Sequence, residues 1–178
     1  IAPRLVKLGF NCMAIDQRSG GEKNFVTNET HEKAIQKNMN TSYLSAEKDL
    51  LAAIDFIYNK SGKPVIIFGS SYSASLSLKI AIGNPKIKAV VVFSPGEYLT
   101  TEGVKLEVIM PEFDKPVFAA WPANEFENRV LFDKVQGEKI LFAPQTGGVH
   151  GASTLYREVP ESKEYWLDLT MFLSKHKN

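Results

Sequence analysis

The stretch Val65–Ala81, VIIFGSSYSASLSLKIA, decides how the rest of the chain is read. Four apolar residues, Val65 to Phe68, lead through Gly69 into five serines within eight positions, at 70, 71, 73, 75 and 77. A short, continuous apolar run rich in β-branched residues suits a strand covered on both faces. Beyond the serines, Ala74, Leu78, Ala81 and Ile82 fall on one face at helical spacing, and Asn84-Pro85 ends that pattern. The stretch therefore reads as a buried strand that turns at once into a helix, with hydroxyls crowded at the junction.

Working outward, Ala89–Phe93 (AVVVF), Val117–Trp121 (VFAAW) and Ile140–Ala143 (ILFA) are runs of the same kind, and Asn11–Ile15 (NCMAI) is a weaker fifth. Between them lie segments of helical period. Leu44, Leu51, Ile54 and Tyr58 share a face of a helix expected over Ser45–Asn59, with Ser42 or Ser45 as its cap. Tyr165, Trp166, Leu169 and Phe172 or Leu173 share a face of one expected over Ser162–Lys175. A further helix is expected between the third and fourth of the strong runs. Alternation at this spacing predicts an α/β fold, a mostly parallel sheet with helices on both faces. The two longest connections, Gln17–Thr41 and Ser94–Lys115, are long enough to carry function or small extra helices.

Composition narrows the classes. At 178 residues the chain fits one domain with a sizeable core. A formal net charge of +1 with 23% charged residues offers no footprint for nucleic acid and no disordered, charge-rich tail. No apolar run approaches the roughly 18 residues needed to cross a bilayer, so no membrane partner is expected. The single cysteine, Cys12, has no disulfide partner and sits in an apolar run, where it is expected as a small buried hydrophobe. Histidines are scarce and the one cysteine is isolated, so no zinc site is expected, and neither another metal nor an organic cofactor. Localisation is not written in the sequence.

In an open parallel sheet, ligands gather at the carboxyl ends of the strands. The residues that follow the apolar runs are Asp16, Gly69–Ser73, Ser94, Asn124–Glu125 and Gly147–His150. Gly69-Ser70-Ser71-Tyr72-Ser73 has the form G-x-S-x-S, one substitution from the G-x-S-x-G turn in which a serine is presented at a sharp strand-to-helix corner. Small residues two before and two after that serine are needed because the two arms nearly touch. Ser71 is thus the candidate nucleophile, and the amide of Tyr72 a candidate oxyanion donor. A serine needs a base, and the base needs a group that fixes its tautomer. His150, in the glycine-flanked loop QTGGVHGAS, is the base candidate; His31 precedes the strand and His176 lies in a charged tail. Glu125 is the candidate acid, with Glu127 as substitute and Asp114 at the wrong end of its strand. Tyr98 and Trp121 are candidate substrate-binding residues, although Phe93 and Trp121 equally suit the core.

With those residues in place, nearly the whole chain resembles the α/β-hydrolase superfamily, and within it small lidless serine hydrolases similar to dienelactone hydrolases and bacterial esterases. The segment IAPRLVKLGFNCMAIDQRSGG is similar to the family's first helix and following strand, ending in a turn with Asp16, Arg18, Gly20 and Gly21. SAEKDLLAAIDFI, KAVVVFSPGEY, KPVFAAWPANE and GGVHG are similar to the helix before the turn, the next strand, and the acid and base segments. The resemblance implies hydrolysis of carboxylic esters or related acyl substrates through Ser71, Glu125 and His150. A short or medium acyl chain is expected, since the SPGEYLTTEGVKLEVIMPEFD segment is too short for an inserted lid domain. The alternative is a non-catalytic domain of the same fold that binds a small molecule or a partner protein. Two departures stand out. Ser73 replaces the second glycine, and the family's first strands, with the loop that supplies a second oxyanion amide, have no counterpart. The chain, read as a single domain over 1–178, is therefore expected to be incomplete at its N-terminal side, with a further segment or another chain completing the sheet.

Overall fold

The computed structural model describes residues 1–22 and 25–177. Its elements, in chain order, are α1 (Ala2–Lys7), α2 (Glu29–Gln36), α3 (Glu47–Ser61), β1 (Val65–Ser70), α4 (Tyr72–Ala81), β2 (Ile87–Phe93), α5 (Leu106–Ile109), β3 (Val117–Ala120), β4 (Lys139–Phe142) and α6 (Ser162–Lys175), with 3₁₀ turns between them. The four strong apolar runs all become strands and pair in parallel in the order β1-β2-β3-β4. Parallel neighbours need crossover connections, and crossovers that step the same way with right-handed twist all land on one face. On that face Leu50 and Ile54 of α3 and Leu76, Leu78 and Ile80 of α4 pack on Ile67, Val90, Val92, Val117 and Ala119. The opposite face presents Ala89, Val91, Phe93 and Phe118 to Tyr165, Trp166, Leu169 and Phe172 of α6, with Leu5 of α1 at the margin. The two-residue period of β2 thus divides its side chains between the two cores. This is an α/β fold with helices on both faces.

The carboxyl ends of the strands are level. Ser70 pairs with Phe93, Phe93 with Ala120, and Ala120 with Phe142. The ladder extends one residue further: the Ser71, Ser94 and Trp121 amides donate to the Phe93, Ala120 and Phe142 carbonyls at 2.9, 2.7 and 3.0 Å. The loops that follow therefore leave the sheet from a common rim.

Four sequence expectations are corrected. No strand forms over residues 11–15; all five are exposed and irregular. Cys12, expected in the core, is exposed with them. An apolar run becomes a strand only where a neighbour takes its amides and carbonyls. Among the described residues β1 pairs with β2 alone, and residues 11–15 add no strand to its other edge. The helix expected between β3 and β4 is a 3₁₀ segment, Ala123–Phe132. There the Asn128 and Arg129 side chains donate to the Glu125 and Phe126 carbonyls, competing with α-helical amides for them. Finally, α3 starts later than expected, after a 3₁₀ turn at Leu44–Ala46. Neither Ser42 nor Ser45 caps α3; the Ser42 hydroxyl oxygen accepts the Ser45 amide of that turn at 3.3 Å.

Candidate active site

The corner after β1 is tight enough to exclude a side chain at Gly69. A Cβ there would lie 2.6 Å from the Ser73 carbonyl oxygen and 2.7 Å from the Ala74 Cα. Ser71, at the apex, has φ 58 and ψ −133, a backbone conformation that costs an L-residue free energy and needs its surroundings to hold it. Ser73, where glycine stands in the resembled pattern, has room for its side chain and uses it. Its hydroxyl donates to the Ser70 carbonyl at 2.8 Å and receives the Ser70 amide at 3.2 Å, bracing the corner from inside. The crowding of serines now has separate explanations. The Ser75 hydroxyl donates to the Gly96 carbonyl at 2.6 Å and receives its amide at 3.2 Å, and the Ser77 hydroxyl donates to the Ser73 carbonyl at 2.7 Å. Ser71 alone among the five points its hydroxyl at an imidazole.

Three of the predicted residues meet. His150 Nδ1–H donates to Glu125 Oε1 at 2.8 Å, and its Nε2 lies 2.8 Å from Ser71 Oγ. With the Nδ1 proton directed at the carboxylate, Nε2 of a neutral ring is left to accept the Ser71 hydroxyl proton. Glu125 reaches the ring from the first turn of the 3₁₀ segment Ala123–Phe132, just past the end of β3. His150 stands at the start of the 3₁₀ turn Gly151–Leu155, beyond β4. The imidazole is open to solvent, its side chain 46% exposed, so a ligand can approach from outside the rim. The hydroxyl–imidazole–carboxylate chain is the arrangement that makes a serine oxygen nucleophilic.

Around it, the Tyr72 amide is the first of α4 and has no carbonyl one turn back to receive it. The Tyr72 ring stacks on Tyr43 with centroids 4.0 Å apart, and its hydroxyl is hydrogen bonded to Ser19 at 2.9 Å. Burial pushes the Tyr72 phenol up, with the Ser19 bond pulling the other way. The turn that bears Ser19 is fixed by Arg18, which binds Asp49 of α3 through its backbone amide at 2.8 Å and its guanidinium at 2.6 Å. His31 Nδ1–H donates to the Arg18 carbonyl at 2.6 Å, so that histidine is committed away from Ser71. His176, past the end of α6, packs on Phe172.

Tyr98 lies at the site: its ring stands edge-on to His150 at 6.4 Å, and its hydroxyl donates to the Ser94 carbonyl at 3.2 Å. Burial pushes its phenol up, reinforced by the negative charge of Glu125 and opposed by hydrogen bonding with Ser71. Trp121 does not line the site, and its candidacy is corrected. It is 1% exposed, packs edge-on to Phe126 and Phe132, and donates its indole N–H to the Pro95 carbonyl at 2.9 Å. A large aromatic with a satisfied N–H is worth more inside the core than at an open rim. Phe93 is buried as well. Tyr43, which covers Tyr72, is a neighbour that the sequence pattern did not single out; it falls between the connection Gln17–Thr41 and the helix expected from Ser45, and carries no periodic signal.

No protein-family model and no curated protein sequence matches the chain. Solved structures do. A cold-adapted esterase from an Arctic intertidal metagenomic library superposes with a TM-score of 0.61 at 18% identity, over 98% of this chain and 73% of that one. A dienelactone hydrolase from Anabaena variabilis gives a TM-score of 0.61 at 17% identity, over 84% and 68%. An esterase from Pyrococcus furiosus gives 0.59 at 16%, over 73% and 62%, so the matched region spans less than two thirds of that enzyme. At such identities the likeness concerns the fold, and the fold is that of the α/β-hydrolases.

Proposed function

We propose that this α/β-hydrolase fold is a serine hydrolase of carboxylic esters or related acyl substrates, with Ser71 as nucleophile, His150 as general base and acid, and Glu125 as the group that orients the imidazole. The observation that carries the reading is the His150 ring, 2.8 Å from both the Ser71 hydroxyl and the Glu125 carboxylate. Its supports are the strained backbone of Ser71 and the esterases and dienelactone hydrolases among the structural neighbours.

Ser71 Oγ attacks the acyl carbon as its proton passes to His150 Nε2. The carbonyl oxygen becomes an oxyanion, and the Tyr72 amide, at the start of α4, donates to it. Collapse breaks the bond to the leaving alkoxide, which takes the proton from His150 and departs as an alcohol. Water then attacks the acyl-serine with His150 again accepting a proton; the acid leaves and the Ser71 hydroxyl is restored. Glu125 remains ionised throughout and holds the Nδ1–H tautomer.

A short or medium acyl group fits the surroundings best. The segment between β2 and β3 folds into short helical turns whose Leu99, Leu106, Met110 and Phe113 are buried in the core beside α4. Tyr98, beside His150, offers an aromatic wall of modest size. A fluorophosphonate probe, with hydrolysis of p-nitrophenyl acetate and butyrate measured in parallel, tests the reading. Wild-type protein should be labelled and Ser71→Ala should not. Labelling that persists in Ser71→Ala would move the chemistry to another serine, and a folded wild type that neither labels nor turns over would favour a binding role.

A further inference from the structure

We propose that Ser70 and Ser94 are positioning residues that clasp the His150 loop to the ends of β1 and β2, an inference that rests on the serine hydrolase reading and names the parts that set its geometry. The Ser94 hydroxyl oxygen accepts the Gly151 amide at 2.9 Å, and the Ser70 hydroxyl oxygen accepts the Ala152 amide at 2.9 Å. Two consecutive amides of the loop are thus received by two neighbouring strands.

The need for such a clasp follows from where His150 sits. The 3₁₀ turn Gly151–Leu155 begins directly after it, so His150 occupies the capping position, and its side chain makes no capping hydrogen bond. At that position Ser, Thr, Asn or Asp would ordinarily receive the free amides at the start of the turn. The His150 imidazole is turned to Ser71 and Glu125 instead. Gly151 and Ala152 are buried, and their amides would be costly to leave unpaired. Ser94 and Ser70 supply the acceptors from across the rim, which leaves the capping residue free to face the reaction.

The local strain agrees. Ser94 is 1% exposed and has φ 50, a conformation in which glycine would sit more easily but could not receive the Gly151 amide. Gly151 has φ 70, and a Cβ on it would meet the Ser70 hydroxyl at 2.5 Å, so the loop backbone rests directly on the Ser70 side chain. Ser70 directly precedes Ser71, and Gly151 directly follows His150. The clasp therefore ties the residue before Ser71 to Ala152, two places after His150, and ties the residue after His150 to Ser94 at the end of the adjacent strand. The other end of the loop is held separately: the Gly148 amide donates to Glu161 at 3.1 Å, and the Gly147 carbonyl accepts the Ala123 amide at 2.9 Å, two residues before Glu125.

The experiment compares Ser70→Ala, Ser94→Ala and Ser94→Gly with wild type, each also in a His150→Ala background. Ester hydrolysis and the long-range proton–nitrogen spectrum of the His150 ring are the readouts; Ser94→Gly relieves the strain and so keeps a folded variant in the set. A displaced base should lower kcat by about 10- to 100-fold while KM changes little. The ring, held as the Nδ1–H tautomer in wild type, should move toward a solvent-like mixture. In the His150→Ala background the same substitutions should leave the residual rate unchanged, because their effect passes through the imidazole. An equal fractional loss in both backgrounds, or a ring spectrum unchanged in the variants, would overturn the clasp. A wild type with an ordered ring but no hydrolysis and no Ser71 labelling would overturn the hydrolase reading, and the ring spectrum would still decide the clasp.

Discussion

The rim of the sheet and the segment at residues 11–15 respond to the same physics in opposite ways. At the rim, five serines, two strained residues and two buried loop amides are held because each polar group meets a partner, for all but Ser77 one from another element. Residues 11–15 are mostly apolar, a weaker run than the four strands, yet they stay irregular and exposed, and no described strand pairs with them. Backbone and hydroxyl groups must be satisfied before apolar burial can take effect. The comparison teaches that apolar content nominates a segment, while partners decide it.

The sharpest way to break this contrast is at the carboxylate. Glu125→Gln keeps the shape of the rim but presents an amide to His150 Nδ1, removing the charge that fixes the tautomer. On the proposed mechanism kcat should fall about 10,000-fold, measured on p-nitrophenyl acetate, with the thermal midpoint nearly unchanged. A loss under tenfold would mean that the Glu125 contact is not used in turnover. The next largest effect is expected at Gly69. Gly69→Ala places a methyl among the Ser73 carbonyl, the Ser77 hydroxyl and Ala74 Cα, all within 2.7 Å, and the corner must open. Overpacking of that kind costs about 1–3 kcal/mol, to be read in urea unfolding, together with loss of probe labelling as Ser71 moves. Full stability with full labelling would show the corner to be looser than its geometry.

Alkali offers a milder test. Burial raises the phenols of Tyr72, Tyr98 and Tyr165 above the ordinary tyrosine value near 10. The unfolded chain then ionises first, so the stability these groups lend is intact below about pH 10 and declines as pH rises through their folded values. Urea midpoints measured from pH 8 to 11 should fall at the top of that range, and less steeply in Tyr72→Phe. The smallest effect is expected at the other pole of the comparison. Ile15→Ser alters an exposed residue outside both core clusters, and unfolding free energy should change by no more than about 0.5 kcal/mol. A loss of about 2 kcal/mol or more would mean that the 11–15 segment is packed in solution, against a partner not found among the described residues.

Much of this architecture is legible in local pattern. The runs beginning at Val65, Ala89, Val117 and Ile140 are short, apolar and flanked by helical period, and a both-faces-covered parallel sheet is the arrangement that satisfies them. Helix α6 spans the residues its apolar stripe marks. Ser71, Glu125 and His150 are legible because strand ends in such a sheet converge on one rim, and few suitable side chains follow those ends. Trp121 was ambiguous for a physical reason: it follows a strand end, but the indole can reach Pro95 only by turning inward.

By itself, then, the sequence determined the four strands, the helices that cover them, and the serine, glutamate and histidine that stand at the rim. Only the tertiary structure decided that Ser94 and Ser70 would receive the amides beside His150, that Ser73, standing where the pattern has glycine, would brace the corner, and that residues 11–15 would remain outside the sheet. Periodicity records which face of its own element a residue occupies. A hydrogen bond between positions 57 or 82 residues apart, or the lack of a strand to pair with, exists only once the elements have been brought together in space.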